Sequence, residues 1–128
     1  MKDRLQGKFI VLDGPDGCGK STQAGLLVKW LEGEGVSTSR FRDPGDTSIG
    51  EKIREILLNP EHLAMDTRTE LLLYMAARAQ LWAEKIAPAL QNNRCVVLVF
   101  CAGLLVDRRL HERVADVNAR RQPQLHKT

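Results

Sequence analysis

The sequence contains no apolar run that approaches the ~18–20 residues of a membrane-spanning helix. Its first residues, MKDRLQGKF, also lack the apolar segment of a secretory signal. Hydrophobic residues make up 43% of the chain and charged residues 27%, which is typical of a water-soluble domain. The sequence therefore predicts a cytoplasmic protein with no membrane partner.

Cysteine and histidine patterns that bind metals are missing as well. Cys18, Cys95 and Cys101 show none of the spacings of a metal site, and their odd number leaves one thiol unpaired in any disulfide scheme. His62 stands in a polar linker without a second histidine or cysteine nearby, so we expect a solvated loop residue. Cys18 precedes a helix start and a lysine, where a thiolate is favoured, although the simpler interpretation is a small side chain that fits the loop.

No excess of basic residues exists before position 102. Residues 1–101 hold equal numbers of acidic and basic side chains, whereas residues 102–128 hold six basic and three acidic ones and carry the whole net charge of +3. The tail has no aromatic side chain to stack on bases, which favours a solvated helix face over a nucleic-acid interface. We predict a domain over residues 1–101 and a divergent basic tail over residues 102–128, helical at first and then disordered.

The most informative stretch that is present covers residues 9–22, FIVLDGPDGCGKST. An apolar run is followed by a loop that fits G-x-x-x-x-G-K-[ST], in which glycines allow successive backbone N–H groups to point at a phosphate. The next helix adds its positive N-terminal end. Lys20 supplies a charge for the outer phosphates, and Ser21 supplies a hydroxyl for Mg²⁺. An ordinary glycine-rich turn is the alternative, but the flanking strand and helix favour a phosphate site.

Periodicity beyond this loop predicts alternating helices and strands. Residues 21–32 form a helix, residues 36–42 a weaker strand, and residues 43–46 a turn. Residues 48–58 form a helix whose core face is Ile49, Ile53, Ile56 and Leu57. Strand, helix and strand in this order imply a right-handed crossover and a parallel sheet.

A longer helix and a buried strand complete the pattern. Thr67 or Thr69 can cap the helix, which continues to about Gln91, and Pro88 should kink or restart it. Residues 95–100, CVVLVF, are a second buried strand. The predicted core stripe of the long helix is Leu72, Met75, Ala76, Ala79, Trp82, Ala83 and Ile86.

Three separated stretches together resemble bacterial thymidylate kinases. They are LDGPDGCGKSTQ, FRDPGDTSIGEKIREILL and TRTELLLYMAARAQ, and their order and spacing match the family between about residues 7 and 98. The resemblance implies an α/β fold, a P-loop nucleoside-monophosphate-kinase-like parallel sheet with flanking helices, incomplete at the C-terminus. It also implies phosphorylation of dTMP to dTDP with Mg-ATP, in dTTP synthesis, and it leaves a homodimer open.

Site residues follow from the resemblance position by position. Asp16 stands where the family's acid meets the 3′-hydroxyl of the acceptor sugar, and Pro44 where a proline walls the thymidine pocket. Arg54 and Arg78 match arginines at the acceptor phosphate and base, and Tyr74 matches the aromatic that stacks on thymine. The implied catalytic residues are Lys20, Asp16 and Arg78. The implied ATP-binding residues are Gly14, Pro15, Asp16, Gly17, Cys18, Gly19, Lys20, Ser21 and Thr22, with Ser21 also holding the metal.

Residue chemistry agrees with part of this assignment. Tyr74 and Arg78 are four residues apart on a helix and share a face, so an aromatic surface lies beside a guanidinium that can grip an anion. The alternative for Arg78 is an ion pair with Glu70 or Glu84. For Arg54 the alternative is a solvated arginine among neighbouring acids.

The chain departs from the family in three places. Asp13 and Asp43 stand where the family usually has glutamate, which shortens the reach of the charge. More severely, Phe100 and Cys101 stand where the family has Asp-Arg, and nothing afterwards matches the arginine-rich lid. The loop has no arginine of its own before Lys20, and an arginine at the transferring phosphate contributes several powers of ten in rate.

These departures make turnover by this chain doubtful and leave two alternatives. One is a non-catalytic nucleotide-binding remnant, and the other is a different P-loop nucleoside monophosphate kinase. Guanylate and adenylate kinases share the loop but not the DPG turn together with TELLLYMAARAQ. We also hypothesise that the tail after about Val99 is out of register with an ancestral gene; another reading frame of the coding DNA should then encode Asp-Arg and the lid.

Overall fold

The computed structural model describes residues 2–14, 17–62 and 64–101. Two predicted site residues, Pro15 and Asp16, lie outside the described residues. The predicted basic tail, residues 102–128, lies outside the described residues as well. The longest uninterrupted described range is residues 17–62, which begins within the glycine-rich loop.

Three parallel strands form the sheet. Strand β1 spans Phe9–Leu12, β2 spans Thr38–Asp43, and β3 spans Cys95–Phe100. Their order is β1-β3-β2, so the last strand in sequence lies in the centre. Pairing is parallel on both sides of β3. The predicted α/β class with a parallel sheet is confirmed.

The central strand is buried on both faces, as its continuous apolar sequence predicts. Cys95, Val97 and Val99 pack with Ala24 and Leu31 on one face. Val96 and Leu98 pack on the other face, against a cluster from the later helices. Each fully buried valine or leucine side chain stabilises the fold by about 1.5–3 kcal/mol. This strand therefore anchors the domain.

Five α-helices flank the sheet in the described part of the chain. Helix α1 is a short turn that the sequence did not predict, and its Leu5 packs on the first cluster. Helix α3 has the bounds predicted for it, and α2 begins one residue earlier than predicted. The helices are α1 Lys2–Leu5, α2 Lys20–Gly33, α3 Ser48–Leu58, α4 Thr67–Leu81 and α5 Ala87–Gln91.

The long predicted helix is divided between α4 and α5 by a π-helical turn, Trp82–Ile86. Pro88 lacks an N–H donor, and its ring would clash with the carbonyl four residues earlier in a regular helix. The wider π turn lies over that carbonyl and relieves the conflict. The expected interruption of the helix is therefore this π turn, after which α5 begins with Pro88 in its first turn. Helix α4 is capped by Asp66, whose carboxylate accepts from Arg68 N at 3.0 Å, rather than by a threonine.

The predicted core stripe of α4 is wrong. Of its members only Ile86 is buried, whereas Leu72 is 68% exposed and Met75 is 51% exposed. The buried face is Glu70, Tyr74, Ala77 and Leu81. On α3, likewise, Leu57 is buried while Ile49 and Ile56 are exposed. Because α4 is apolar on most sides, packing against β2 and α3, not periodicity, decides which side turns inward.

No helix within the described ranges combines the length and the apolar character needed to cross a membrane.

Candidate functional site

Several of the predicted site residues that the structure describes, those of the glycine-rich loop together with Pro44 and Arg78, lie at the carboxyl edge of the sheet. Strand β1 ends at Leu12 and leads into the glycine-rich loop, β2 ends at Asp43, and β3 ends at Phe100. The register pairs Asp43 with Phe100, so β2 and β3 end side by side. In open parallel sheets this edge is where ligands bind.

The glycine-rich loop has the tight backbone that its sequence predicts. Gly14 has a φ of 154°, and a side chain there would place its Cβ 2.9 Å from Cys18 Sγ. Gly19 has a φ of 89° and forms the N-cap of α2. No side chain caps this helix start. The first N–H groups of a 14-residue helix therefore remain available to an anion.

Lys20 folds back over the loop. Its Nζ donates a hydrogen bond to the carbonyl oxygen of Gly14. An adjoining cavity of about 390 Å³ is lined by loop and strand-end residues. The lining is Gly17, Gly19, Lys20, Ser21, Thr22, Arg54, Val99 and Cys101.

A second cavity of about 270 Å³ shares a wall with the first. Ser21, Arg54 and Cys101 line both cavities. Arg40 and Arg42 add two further guanidinium groups to the second cavity, and Asp46 is its acid. Basic side chains thus outnumber acidic ones around the two spaces, and the combined site is suited to anionic ligands.

Arg54 and Pro44, two of the residues expected on the acceptor side, are in contact. Arg54 Nη1 donates to the carbonyl oxygen of Pro44 at 2.9 Å. Pro44 is buried and follows a cis peptide bond from Asp43. This hydrogen bond holds the Arg54 side chain where the two cavities meet. Arg54 is therefore not a freely solvated arginine, which was the alternative interpretation.

The segment between β2 and α3 is held by one carboxylate. Glu51 Oε1 accepts from the backbone N–H of Asp46 at 2.8 Å, and Arg42 Nη2 contacts both carboxylate oxygens at 2.8 Å. The Asp46 N–H and then the Arg42 guanidinium lower the pKa of Glu51 from its ordinary value. The same pairing raises the pKa of Arg42.

Glu51→Gln is expected to lower the melting temperature at pH 7, because it removes the ion pair with Arg42. The decrease should be small, about 2–5 °C, since the pair is half-exposed and screened by solvent. Because the pKa of Glu51 is lower in the folded state, its ionised carboxylate stabilises the fold. This stabilisation is complete above the ordinary pKa of 4.5 and is lost as the pH falls through the folded-state pKa. The difference between the variant and the wild type should therefore shrink below about pH 4.5. Glu55→Gln on the same helix is the control, and equal pH profiles for Glu51→Gln and the wild type would contradict the interpretation.

Arg78 lies at the same sheet edge but faces a different space. Its Nε donates to Asp43 Oδ2 at 2.6 Å, and its Cζ lies 4.5 Å from the ring centroid of Phe100. It lines an apolar cavity of about 350 Å³ together with Phe9, Val11, Trp82, Ile86, Leu98 and Phe100. Its ion-pair partner is therefore Asp43, and neither Glu70 nor Glu84 takes that place in the described chain.

Tyr74 lies one helical turn before Arg78, as predicted, but only 2% of its surface is exposed. The ring belongs to the buried face of α4. Stacking of a base on this ring therefore requires the surface above it to open.

The three cysteines have different surroundings. Cys18 is exposed in the loop, Cys95 is buried in β3, and Cys101 is half-buried beside the cavities. Burial raises the pKa of the Cys95 thiol. Cys95 is therefore a packing residue and not a reactive thiol. Arg40, Arg42 and Cys101 are cavity residues that sequence reasoning missed. The available signal was the position of Arg40 and Arg42 in the second half of β2 and of Cys101 directly after β3.

A magnesium ion fits the site as a companion of a nucleotide. Within residues 2–14, 17–62 and 64–101, no three histidine, cysteine, aspartate or glutamate side chains converge as a metal centre. Ser21 offers a hydroxyl, the hard oxygen ligand that Mg²⁺ prefers, and lines both cavities. Such a site suits an ion that shares its coordination with phosphate oxygens.

Comparison with known proteins agrees on one family. A family model described as thymidylate kinase matches residues 12–103. Thymidylate kinase of Caldanaerobacter subterraneus subsp. tengcongensis is 50% identical over 94 residues, covering 73% of this chain and 45% of the relative. Thymidylate kinase of Fervidobacterium nodosum is 47% identical over 107 residues, covering 84% and 49%.

A solved structure is similar in fold. The crystal structure of thymidylate kinase from Ehrlichia chaffeensis superposes with a TM-score of 0.63 at 33% identity, covering 73% of this chain and 52% of that one. The chain spans about half the length of the relatives it matches.

Proposed function

Because the chain belongs to the thymidylate kinase family, whose members are kinases of nucleotide biosynthesis, we propose that it transfers the γ-phosphoryl group of Mg-ATP to dTMP in dTTP synthesis. The observation that carries the proposal is that Lys20, Ser21 and Arg54 line the same cavity. A phosphate-binding loop and a second basic pocket meet there, as phosphoryl transfer between two nucleotides requires. A cytoplasmic location and a kinase domain over residues 1–101 belong to the same proposal.

In this proposal the loop of residues 14–22 binds ATP. Lys20 contacts the outer phosphates, and the N–H groups that begin α2 contact the remaining oxygens. Bound Mg²⁺ supplies charge neutralisation across the phosphates, with the Ser21 hydroxyl as a protein ligand. Asp16, which lies outside the described residues, is proposed to bind the 3′-hydroxyl of the acceptor sugar.

The acceptor side is proposed to use Pro44, Arg54, Tyr74 and Arg78. A phosphate oxygen of dTMP attacks the γ-phosphorus, and the bond from that phosphorus to the bridging oxygen of ADP breaks. Arg54 is anchored by its bond to Pro44 at the meeting point of the cavities, so it can hold the acceptor phosphate in line. Arg78 and Tyr74 are proposed to hold the base.

A second candidate is nucleotide binding without turnover. Cys101 lines the phosphate cavity at the position where the resemblance implies an arginine, so a positive charge that favours the transition state is missing there. Such a chain would bind Mg-ATP and gain stability from it, yet release no ADP in the presence of dTMP.

One assay separates these functions. ADP release is coupled to a chromogenic readout with Mg-ATP and, in parallel, dTMP, dAMP or dGMP as acceptor. The proposed function predicts ADP release with dTMP above the other acceptors. Turnover with dAMP or dGMP instead indicates another monophosphate kinase. A rise in melting temperature with Mg-ATP, but no turnover, indicates the non-catalytic alternative.

A homodimer through α4 is also proposed. Leu71 and Leu72 lie four and three residues before Met75 on this helix, and each of the three is more than half exposed. An apolar helix face of this kind is typical of an interface with a second copy.

Leu72→Glu is expected to convert the dimer to a monomer in sedimentation velocity, because the charge would be buried without a partner. Gln23→Glu, at an exposed position of α2, adds the same single negative charge and should leave the mass unchanged. A wild type that sediments as a monomer at tens of micromolar would contradict the dimer.

A further inference from the structure

The carboxylate at the end of β2 has an unusual setting. Asp43 is fully buried, with 0% exposure, although charged side chains are rarely fully buried unless they are paired. Its side-chain partner in the described chain is Arg78, 35 residues later on α4. The register with Phe100 fixes its backbone, and Cys101 N donates to its carbonyl oxygen at 2.9 Å. Asp43 is thus a rigid point at the ligand-binding edge of the sheet.

The guanidinium that Asp43 holds is more exposed than the Asp43 carboxylate, and the arginine side chain has more rotatable bonds. The Arg78 side chain is 40% exposed, while that of Asp43 is 0% exposed. Two contacts orient it: the Nε bond of 2.6 Å to Asp43 and the ring of Phe100 beneath it, 4.5 Å from Cζ. A guanidinium has five N–H donors, and this geometry uses the one on Nε. Within the described ranges the donors on the two terminal nitrogens bond to no protein group, so they are left for a ligand.

The pairing is not the arrangement that stability alone would favour. A structural arginine–carboxylate pair commonly forms two parallel hydrogen bonds. Here Asp43 Oδ1 has no hydrogen-bond partner within the described part of the chain, although it is buried. A buried acceptor that is left unsatisfied costs stability. Groups held at such a cost are characteristic of binding sites.

We propose that Asp43 is a positioning residue, which holds the Arg78 guanidinium by Nε so that its terminal N–H groups face an oxygen acceptor of the incoming nucleoside monophosphate. The role rests on the proposed function, since it needs an acceptor nucleotide at this edge. Phe100 supports the same orientation from below. Asp43 itself touches no substrate.

The test measures binding of dTMP and of Mg-ATP to the full chain by calorimetry. Asp43→Asn keeps the shape but weakens the charge-assisted bond, so the Kd for dTMP should rise about tenfold while that for Mg-ATP stays within about twofold. Asp43→Glu restores the carboxylate and should recover most of the affinity. Glu84→Gln, which removes an acid from the π turn that follows α4, is the control and should match the wild type.

A second variant keeps the test decisive if Asp43→Asn does not fold. Arg78→Lys retains the charge but loses the Nε donor, and should weaken dTMP binding by a similar factor. In the double variant the two losses should not add, because both remove one interaction. Additive losses, or unchanged dTMP affinity in either variant, would overturn the positioning role while the proposed function stands. Absence of dTMP binding by the folded wild type would overturn both.

Discussion

Lys20→Ala is expected to abolish measurable binding of Mg-ATP, with a Kd at least about 100-fold above that of the wild type. The lysine is the charged group of the loop, and its Nζ already lies against the Gly14 carbonyl at the mouth of the larger cavity. Each charge-assisted contact to a phosphate is about twice as strong as a neutral hydrogen bond. Losing the lysine removes several such contacts at once.

The expected loss is specific to the loop. Lys29→Ala, on the exposed side of the same helix, should leave the Kd unchanged. The fold should survive in both variants, because neither lysine belongs to the two core clusters. Fluorescence titration with a labelled ATP analogue, with circular dichroism as the folding check, makes the measurement. Equal affinities for Lys20→Ala and the wild type would show that the loop does not bind the triphosphate.

Cys101→Arg is expected to raise the rate of dTMP phosphorylation by about 100-fold or more, since an arginine at the transferring phosphate contributes about 10³–10⁵ in P-loop GTPases. Cys101 lines both cavities together with Ser21 and Arg54. Its backbone is fixed by the hydrogen bond from its N–H to Asp43. A guanidinium at this position would point from a rigid sheet edge into the space between donor and acceptor.

Two controls separate charge from shape at this position. Cys101→Met fills similar space without charge and should leave the rate at the wild-type level. Cys101→Lys supplies charge without the planar fork and should give a smaller gain than arginine. The rates are compared at saturating Mg-ATP and dTMP. A Cys101→Arg rate equal to that of Cys101→Met would contradict the placement of this residue beside the transferring group.

The sheet and the loop could be predicted because their sequences are compatible with few other backbone conformations. The run CVVLVF is apolar at every position, which a central parallel strand needs, and it became β3 with the predicted bounds. Positive φ angles at Gly14 and Gly19 explain why the loop requires glycine. Local chemistry determined both features.

The inward face of α4 could not be predicted for a physical reason. Apolar residues occupy most sides of this helix, so a period of 3.6 selects no single stripe. The helix instead buries Tyr74 and Glu70, whose polar groups make them poor candidates by pattern alone. Contacts with β2 and α3 override periodicity here.

The partner of Arg78 was also beyond sequence reasoning. The sequence offered Glu70 or Glu84 as ion-pair partners, whereas the structure pairs Arg78 with Asp43. That pairing depends on how α4 lies across the ends of β2 and β3, which is a tertiary property. The charge of the second cavity, to which Arg40 and Arg42 contribute, arises in the same way.

The central claim is that this chain holds ATP phosphates on its glycine-rich loop and a nucleoside monophosphate beside it. Calorimetric titration of dTMP into the full chain, saturated with Mg²⁺ and a non-hydrolysable ATP analogue, measures both together. We predict saturable binding of one dTMP per chain, which Lys20→Ala weakens only through loss of the analogue and Arg54→Ala weakens directly. A folded chain that takes up the analogue but gives no heat with dTMP, at concentrations up to millimolar, would contradict the claim.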